Sequence, residues 1–453
     1  MPGKIVILGA GESGAGAAVL AKKMGFEVFV SDKSLIDPKY KSVLSQFEIR
    51  FEEGKHSEQE ILAADEIIKS PGIPDKAPLI LNAVQAGIPV ISEIEFAGRY
   101  TNAKKLCITG SNGKTTTTLL LYHILKNAGL NVGLGGNVGK SMAMLVAERD
   151  YDYLVLEISS FQLDGMFDFK ADIAILTNIT PDHLDRYEGK FENYAASKFR
   201  IIQNQTAADA FIYCSDDPEI NSRLEIWKPA AQCYPFSLYD QNIKQGAFLQ
   251  MENNDYQHSR LYFNINSDTM DMTLQELALK GRHNAYNSMA AGIAARLLDI
   301  RKESVRQSLA NFQGVEHRLE FVTTVRGIEF VNDSKATNVN SAWWALDNAR
   351  KPVIWIAGGM DKGNDYSALK DLVAEKVKAI ICLGVDNEKI IRELAKHTAA
   401  CIEVASMDEA VKMAYKLGNK GDMVLLSPAC ASFDRFKNYE DRGNQFKKSV
   451  INL

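Results

Sequence analysis

Leu106-Cys107-Ile108-Thr109-Gly110-Ser111-Asn112-Gly113-Lys114-Thr115-Thr116 is the stretch on which the reading of this chain turns. The apolar run predicts a strand and Gly110–Thr116 a tight loop. Thr117–Asn127 predicts an apolar-faced helix that stops before Gly129. Strand, glycine loop and helix in that order build a phosphate cradle. Successive backbone N–H groups face the anion at a helix N-terminus, Lys114 reaches terminal phosphates, and the Thr115 hydroxyl suits Mg²⁺. The spacing departs from the general GxxxxGK[ST] pattern, because Ile108 stands at its first glycine. A plain surface turn before a helix is the competing reading.

Upstream, Gly9-Ala10-Gly11-Glu12-Ser13-Gly14 follows the apolar run Lys4–Leu8 and precedes an Ala-rich helix, and Asp32 ends the next strand. This is a dinucleotide-binding fingerprint in its required context: glycines for the turn, a helix N-terminus for a diphosphate, an acid for a ribose. A nicotinamide cofactor and a UDP-sugar present similar anions to such a turn, and close strand–helix packing without a ligand would also use these glycines. Ser70-Pro71-Gly72, after another strand, closes over the same crevice. Two phosphate loops in one chain are more than a simple dehydrogenase needs.

Downstream, Glu157 ends the apolar strand Tyr153–Leu156, where a carboxylate can hold Mg²⁺ directly or through water; a solvated strand end is the alternative. Thr177-Asn178-Ile179-Thr180-Pro181-Asp182-His183-Leu184-Asp185-Arg186-Tyr187 follows the next strand and brings His183 toward the same edge. Lys198 falls on the apolar face of Phe191–Ile202, at helical spacing from Tyr194, Ala195, Ile201 and Ile202. An ammonium there must snorkel, pair or change chemically; snorkelling is the ordinary outcome.

The chain has 453 residues, which at about 150 per domain suggests three domains. Short strands alternating with helical segments predict parallel α/β architecture in three series, with breaks near residues 100 and 315. The polar, alternating stretch from Asp240 to Thr273 predicts an antiparallel excursion on the second sheet. A composition of 46% hydrophobic and 24% charged residues excludes disorder and a disulfide scaffold. A net charge of −5 argues against a general nucleic-acid binder, so any phosphate must be met by a few local groups. Six scattered cysteines include no CxxC, which fits a reducing compartment without structural zinc. No apolar stretch approaches the ~20 residues of a membrane span, and the start carries no long apolar leader. A cytoplasmic protein without membrane insertion is expected.

Together these motifs resemble the Mur ligase family, ATP-dependent amino-acid ligases of peptidoglycan precursor synthesis. Thr109–Thr116, Glu157-Ile158-Ser159-Ser160, Asn178–Tyr187 and Gly281-Arg282-His283-Asn284-Ala285-Tyr286-Asn287 carry the resemblance, which covers all three series. Asn332–Asn338, Leu426–Asp434 and Phe436–Gly443 look like the D-glutamate-adding branch.

The resemblance implies a Rossmann-like UDP-binding domain (1–100), a central P-loop ATPase domain with a mainly parallel sheet (101–314) and a C-terminal Rossmann-like α/β domain for the amino acid (315–453). It implies UDP-N-acetylmuramoyl-L-alanine on Glu12, Ser13, Asp32, Lys33, Ser34, Ser70 and Gly72, with Asn137 and His183 along its muramoyl arm. ATP would sit on Gly110, Ser111, Asn112, Gly113, Lys114, Thr115 and Thr116, with Asn284, Asn287, Arg318 and Asp333. One Mg²⁺ would take Thr115 and Glu157, and a second His183 and a carbamylated Lys198. D-Glutamate would meet Thr337, Lys362, Ser432 and Tyr439. Lys114, His183 and Lys198 are the implied catalytic residues, and the enzyme is expected to be a monomer. A folylpolyglutamate-type ligase shares the middle chemistry but has no use for a UDP-type first domain. An NAD-dependent oxidoreductase would rest on the first fingerprint alone, and a non-catalytic nucleotide switch on the P-loop alone.

Overall fold

The computed structural model describes residues 3–252, 255–312, 314–361 and 363–453, and the elements below are those of the described residues. They form two compact units, Met1–Phe312 and Gln313–Leu453.

The first unit holds two sheets. Strands β1 (Lys4–Leu8), β2 (Glu27–Asp32), β3 (Arg50–Glu53), β4 (Glu66–Lys69) and β5 (Val90–Ser92) lie parallel in the order β3-β2-β1-β4-β5. The order reverses between β1 and β4, which opens a crevice beyond their C-terminal ends. On one face Val6, Leu8, Phe29 and Ile67 pack against Ile61, Ile80 and Ala83. The helix Glu12–Lys23 buries Gly14–Ala21, and its small residues permit close packing: a Cβ on Gly16 would come within 2.0 Å of Ser141 Oγ.

The second sheet contains β6 (Lys104–Thr109), β7 (Val132–Gly136), β8 (Tyr153–Glu157), β9 (Ile173–Leu176), β10 (Ala210–Cys214) and β11 (Gln232–Ser237). It continues through β12 (Gly246–Glu252), β13 (Asp255–Ile265) and β14 (Asp268–Thr273), in the order β14-β13-β12-β11-β10-β9-β6-β8-β7. Pairing is parallel from β7 to β12, and antiparallel through β12, β13 and β14, the excursion expected between Asp240 and Thr273. β6 lies between β9 and β8, and its Leu106, Cys107 and Ile108 are fully buried, so the loop after it starts from a rigid base.

The second unit has a sheet of β15 (Glu320–Val325), β16 (Ile328–Asn332), β17 (Val353–Ala357), β18 (Val377–Cys382), β19 (Ala400–Glu403) and β20 (Met423–Leu426). Their order is β15-β16-β20-β17-β18-β19, parallel except for β15. Both faces are covered, one by Trp355, Tyr366 and Leu346, the other by Phe330, Phe446 and Val411. This is the mixed α/β, mainly parallel architecture expected from the alternating pattern.

Candidate active site

The loop after β6 is held open by its glycines. Gly110 has φ +145° and Gly113 φ +83°, and Cβ atoms there would approach Thr177 Oγ1 to 1.9 Å and Asn287 Oδ1 to 2.4 Å. Asn112 is pinned between neighbours: its N–H donates to Asn178 Oδ1 at 2.9 Å, and its carbonyl accepts from Thr177 Oγ1 and Asn178 Nδ2. Thr180 N donates to Ser111 Oγ at 2.9 Å, and that oxygen lies 3.0 Å from Tyr194 OH. Lys114 opens the helix Lys114–Asn127 and folds back, donating to the carbonyls of Gly110 and Ser111 at 2.9 and 2.8 Å. Asn287 accepts from Thr117 Oγ1 at 3.2 Å and donates to Asn284 Oδ1 at 3.2 Å. The helix Arg282–Leu297 is thereby set against the P-loop helix, with both asparagines buried beside the cradle.

Glu157 is buried, not a solvated strand end. Its Oε1 accepts from Asn137 Nδ2 at 3.0 Å, while Oε2 is buried without a hydrogen-bond partner. An unpaired carboxylate oxygen shielded from water is costly, and a cation is the natural group to satisfy it. Thr115, also buried, opens the P-loop helix nearby in sequence to the cradle. Among the described residues no cluster of three His, Cys, Asp or Glu side chains forms a ready-made cage. The candidate set instead mixes the Thr115 hydroxyl, the Glu157 carboxylate, His183 and Lys198.

Lys198 corrects the snorkelling expectation. It is 2% exposed, its Nζ donates to Gly110 O at 2.7 Å, and it sits 4.6 Å over the Tyr194 ring. Burial first, then the nearby Lys114 charge, push its ammonium well below the ordinary lysine value, against the pull of Asp182, Asp164 and Glu157. A lysine whose ammonium is disfavoured in this way, beside the cradle, is more readily available as a free amine than a surface lysine. His183 adopts φ +52°, its N–H donates to Asp182 Oδ1 at 2.9 Å, and its ring meets Phe161 edge-on at 5.1 Å.

At the first sheet's switch point, Asp32 accepts from Ala10 N and Ser34 N, both at 2.8 Å, which ties the glycine turn to the end of β2. Gly9 has φ +88°, and a Cβ there would strike Ser70 Oγ at 2.6 Å. Asp32, Lys33, Ser34 and Gly72 line one crevice of about 580 Å³ with His56 and Asn82. Glu12 faces a different groove: it accepts from Ser141 N at 3.2 Å and Tyr40 OH at 3.3 Å. Ser13 lies within the first turn of the helix Glu12–Lys23.

In the second unit, Asp333 follows β16 and is buried, accepting from Ser427 Oγ at 2.8 Å and Leu319 N at 3.2 Å. Burial raises its carboxyl to about 6 despite Arg318 and these donors. Arg318 Nε is buried without a hydrogen-bond partner. Ser432 is buried and Thr337 half-buried; the Tyr439 ring receives Lys335 Nζ at 5.1 Å. Lys362 lies outside the described residues.

Three family profiles match the chain: the Mur ligase MurD-like N-terminal domain over residues 3–92, the Mur ligase middle domain over 108–295, and the Mur ligase glutamate ligase domain over 317–430. The chain belongs to the Mur ligase family. It is 57% identical to the UDP-N-acetylmuramoylalanine–D-glutamate ligase of Bacteroides fragilis, over 99% of this chain and 100% of that one. The enzyme of the same name from Porphyromonas gingivalis is 54% identical over 99% and 98% of the two chains. Among solved structures, the UDP-N-acetylmuramate–alanine ligase of Thermotoga maritima shares the fold at 17% identity, with a TM-score of 0.64 over 99% of each chain. The MurF ligase of that organism, solved in complex with ADP, matches at 16% identity and TM-score 0.61, over 94% and 95%.

Several site residues of this Mur ligase escaped the sequence reading. Tyr194 looked like one more apolar-face residue, yet its hydroxyl reaches Ser111 and its ring carries Lys198. Arg186 stacks 4.4 Å from the Phe161 ring and donates to the carbonyls of Pro71 and Gly72. It joins the loop that carries His183 to the loop that closes the crevice. Both lie in or beside quoted motifs, but no local spacing announces partners 83 and 115 residues away in sequence.

Proposed function

We propose that this chain is an ATP-dependent ligase that joins D-glutamate to the L-alanyl carboxylate of UDP-N-acetylmuramoyl-L-alanine, releasing ADP and phosphate. The observation that carries the reading is the convergence on the Gly110 loop of Lys114, a buried Lys198 and, one strand away, Glu157 with an unsatisfied oxygen. A simple nucleotide-binding loop uses a Mg²⁺-holding carboxylate but has no need of the buried lysine. The names of the Bacteroides and Porphyromonas relatives supply the substrates.

In this reading Gly110–Thr116 bind the ATP phosphates, Lys114 exchanges its two carbonyl partners for the terminal phosphates, and Asn284 and Asn287 flank the adenine. The crevice at Asp32, Lys33, Ser34 and Gly72, with Ser70 beside the glycine turn and Ser13 at the helix start, takes the UDP end, and Glu12 is assigned to the same substrate from the neighbouring groove. Asn137 and His183 guide the muramoyl arm. The substrate carboxylate attacks the γ-phosphorus in line; ADP leaves, and an acyl phosphate forms. The amine of D-glutamate then attacks the acyl carbon, losing a proton as phosphate departs with the C–O bonding pair.

His183, held by its own backbone and Phe161, orients the carboxylate rather than removing a proton. Mg²⁺ on Thr115 and Glu157, and a second on His183 and a Lys198 carbamate, would neutralise the charge that otherwise keeps two anions apart. The neutral amine of Lys198 is the form that adds CO₂. In the second unit, Arg318 and Asp333 are assigned to the nucleotide, and Thr337, Lys362, Ser432 and Tyr439 to D-glutamate. The domain boundaries at 100 and 314, a cytoplasmic location and a monomeric state belong to the same proposal. No helix of the described residues is long and apolar enough to cross a membrane.

Substrate labelled with ¹⁸O in the alanyl carboxylate tests the acyl phosphate. One labelled oxygen is expected in the phosphate released with D-glutamate, and product formed with unlabelled phosphate overturns the mechanism.

A further inference from the structure

One wall of the crevice beyond β1, β2 and β4 is unused by the assignments above. His56, in the loop between β3 and the short helix Glu58–Ile61, lines it with Asp32, Lys33, Ser34, Gly72 and Asn82. Its Nδ1 lies 2.7 Å from Ser31 Oγ, and Ser31 is fully buried. The same hydroxyl lies 2.7 Å from Glu52 Oε1. Glu52 also accepts from the Ser57 N–H at 2.7 Å and the Ser57 hydroxyl at 2.5 Å.

These contacts decide a tautomer. A serine hydroxyl has one proton to donate. Burial raises the Glu52 carboxyl, but the hydrogen bonds from Ser57 and Ser31 outweigh it and hold Glu52 below the ordinary carboxylate value. Glu52 is therefore ionised and has no proton to give, so the Ser31 proton goes to it. Only lone pairs remain on Ser31 Oγ for the imidazole, and Nδ1 must carry the ring proton. In a neutral ring Nε2 is then an acceptor. Nε2 has no hydrogen-bond partner among the described residues.

We propose that His56 reads the base of the bound nucleotide, its Nε2 accepting the N3–H of uracil while the Glu52–Ser31 pair fixes the tautomer. The proposal rests on the assignment of this crevice to the UDP end of the substrate. Uracil carries a proton on N3, whereas cytosine presents a lone pair there. Cytosine would set two acceptors against each other, and a methyl group on uracil N3 would remove the donor. A site built around one buried hydrogen bond rejects the mismatched analogue by roughly 10- to 100-fold.

Competition titrations of the full chain with UDP, CDP and N3-methyl-UDP test this. Wild type is expected to favour UDP over both analogues by at least about tenfold. His56→Phe should bring the three close together, while His56→Gln, which keeps an acceptor, retains part of the preference. Nitrogen-15 NMR of the imidazole should report the Nδ1–H tautomer, and Ser31→Ala should weaken both that signature and the UDP preference. Equal binding of UDP and CDP by wild type, or a wild-type preference in His56→Phe, overturns the proposal. UDP affinity unaltered by Asp32→Ala would place the nucleotide elsewhere and overturn the crevice assignment itself.

Discussion

A lysine within a packed helix face has to be explained by what surrounds it, and at Lys198 the surroundings favour the neutral amine. Its shell is the Gly110 carbonyl, the Tyr194 ring and the opposing charge of Lys114, in a place closed to water. Helical spacing alone was enough to mark Lys198 as anomalous, because it falls among apolar residues at i+3 and i+4, but the same spacing left snorkelling as the ordinary outcome. Its partners were not legible, since Gly110 lies 88 residues away. Arginine keeps its charge in any protein environment and cannot form a carbamate. Lys198→Arg is therefore expected to lower turnover at least ~100-fold while ATP still binds, measured by steady-state phosphate release beside nucleotide titration. Turnover near the wild-type rate would exclude a carbamate.

Short elements tie the end of the first sheet to segments of the second. The helix Glu93–Gly98 has six residues, yet it buries two glutamates. Glu93 Oε1 accepts from Ala143 N in the helix Met142–Glu148, and Glu95 accepts from the N–H groups of Phe167, Asp168 and Phe169. Burial, reinforced by the nearby Glu12 charge and opposed by the Ala143 bond, raises the Glu93 carboxyl to about 7. Below the ordinary value of 4.5 the group is protonated folded or unfolded. Between there and about 7 the unfolded chain gives up a proton that the folded chain keeps, so stability falls as pH rises, and levels off above. Glu93→Gln removes that slope, worth up to about 3 kcal/mol. Melting temperatures across pH 5 to 8 (about the window of the shift) should show the variant gaining on wild type as pH rises. A constant difference would contradict the account.

At the scale of the molecule, the parallel sheets were legible because β1, β8 and β17 carry runs of four or five apolar residues, and β1 and β17 run directly into glycine turns. β7 was not: three of the five residues of Val132–Gly136 are glycine, and a Cβ on Gly133 would come within 2.8 Å of Leu154. That strand depends on the close approach of β8, which no local propensity encodes. β11 (Gln232–Ser237) likewise carries a proline within its run and lies between β10 and β12 in the sheet. The phosphate loops were legible because their chemistry is contiguous. The contacts of Tyr194, Arg186 and His56 were not, because each reaches a residue remote in sequence.

The net charge of −5 is consistent with this design: polyanions would be met by helix N-termini, a few lysines and cations rather than by a basic surface. The most direct measurement is phosphate release from ATP with UDP-N-acetylmuramoyl-L-alanine and Mg²⁺, with D- or L-glutamate as the acceptor. Release that depends on D-glutamate and ignores L-glutamate is predicted. Release unchanged by D-glutamate would contradict the assignment.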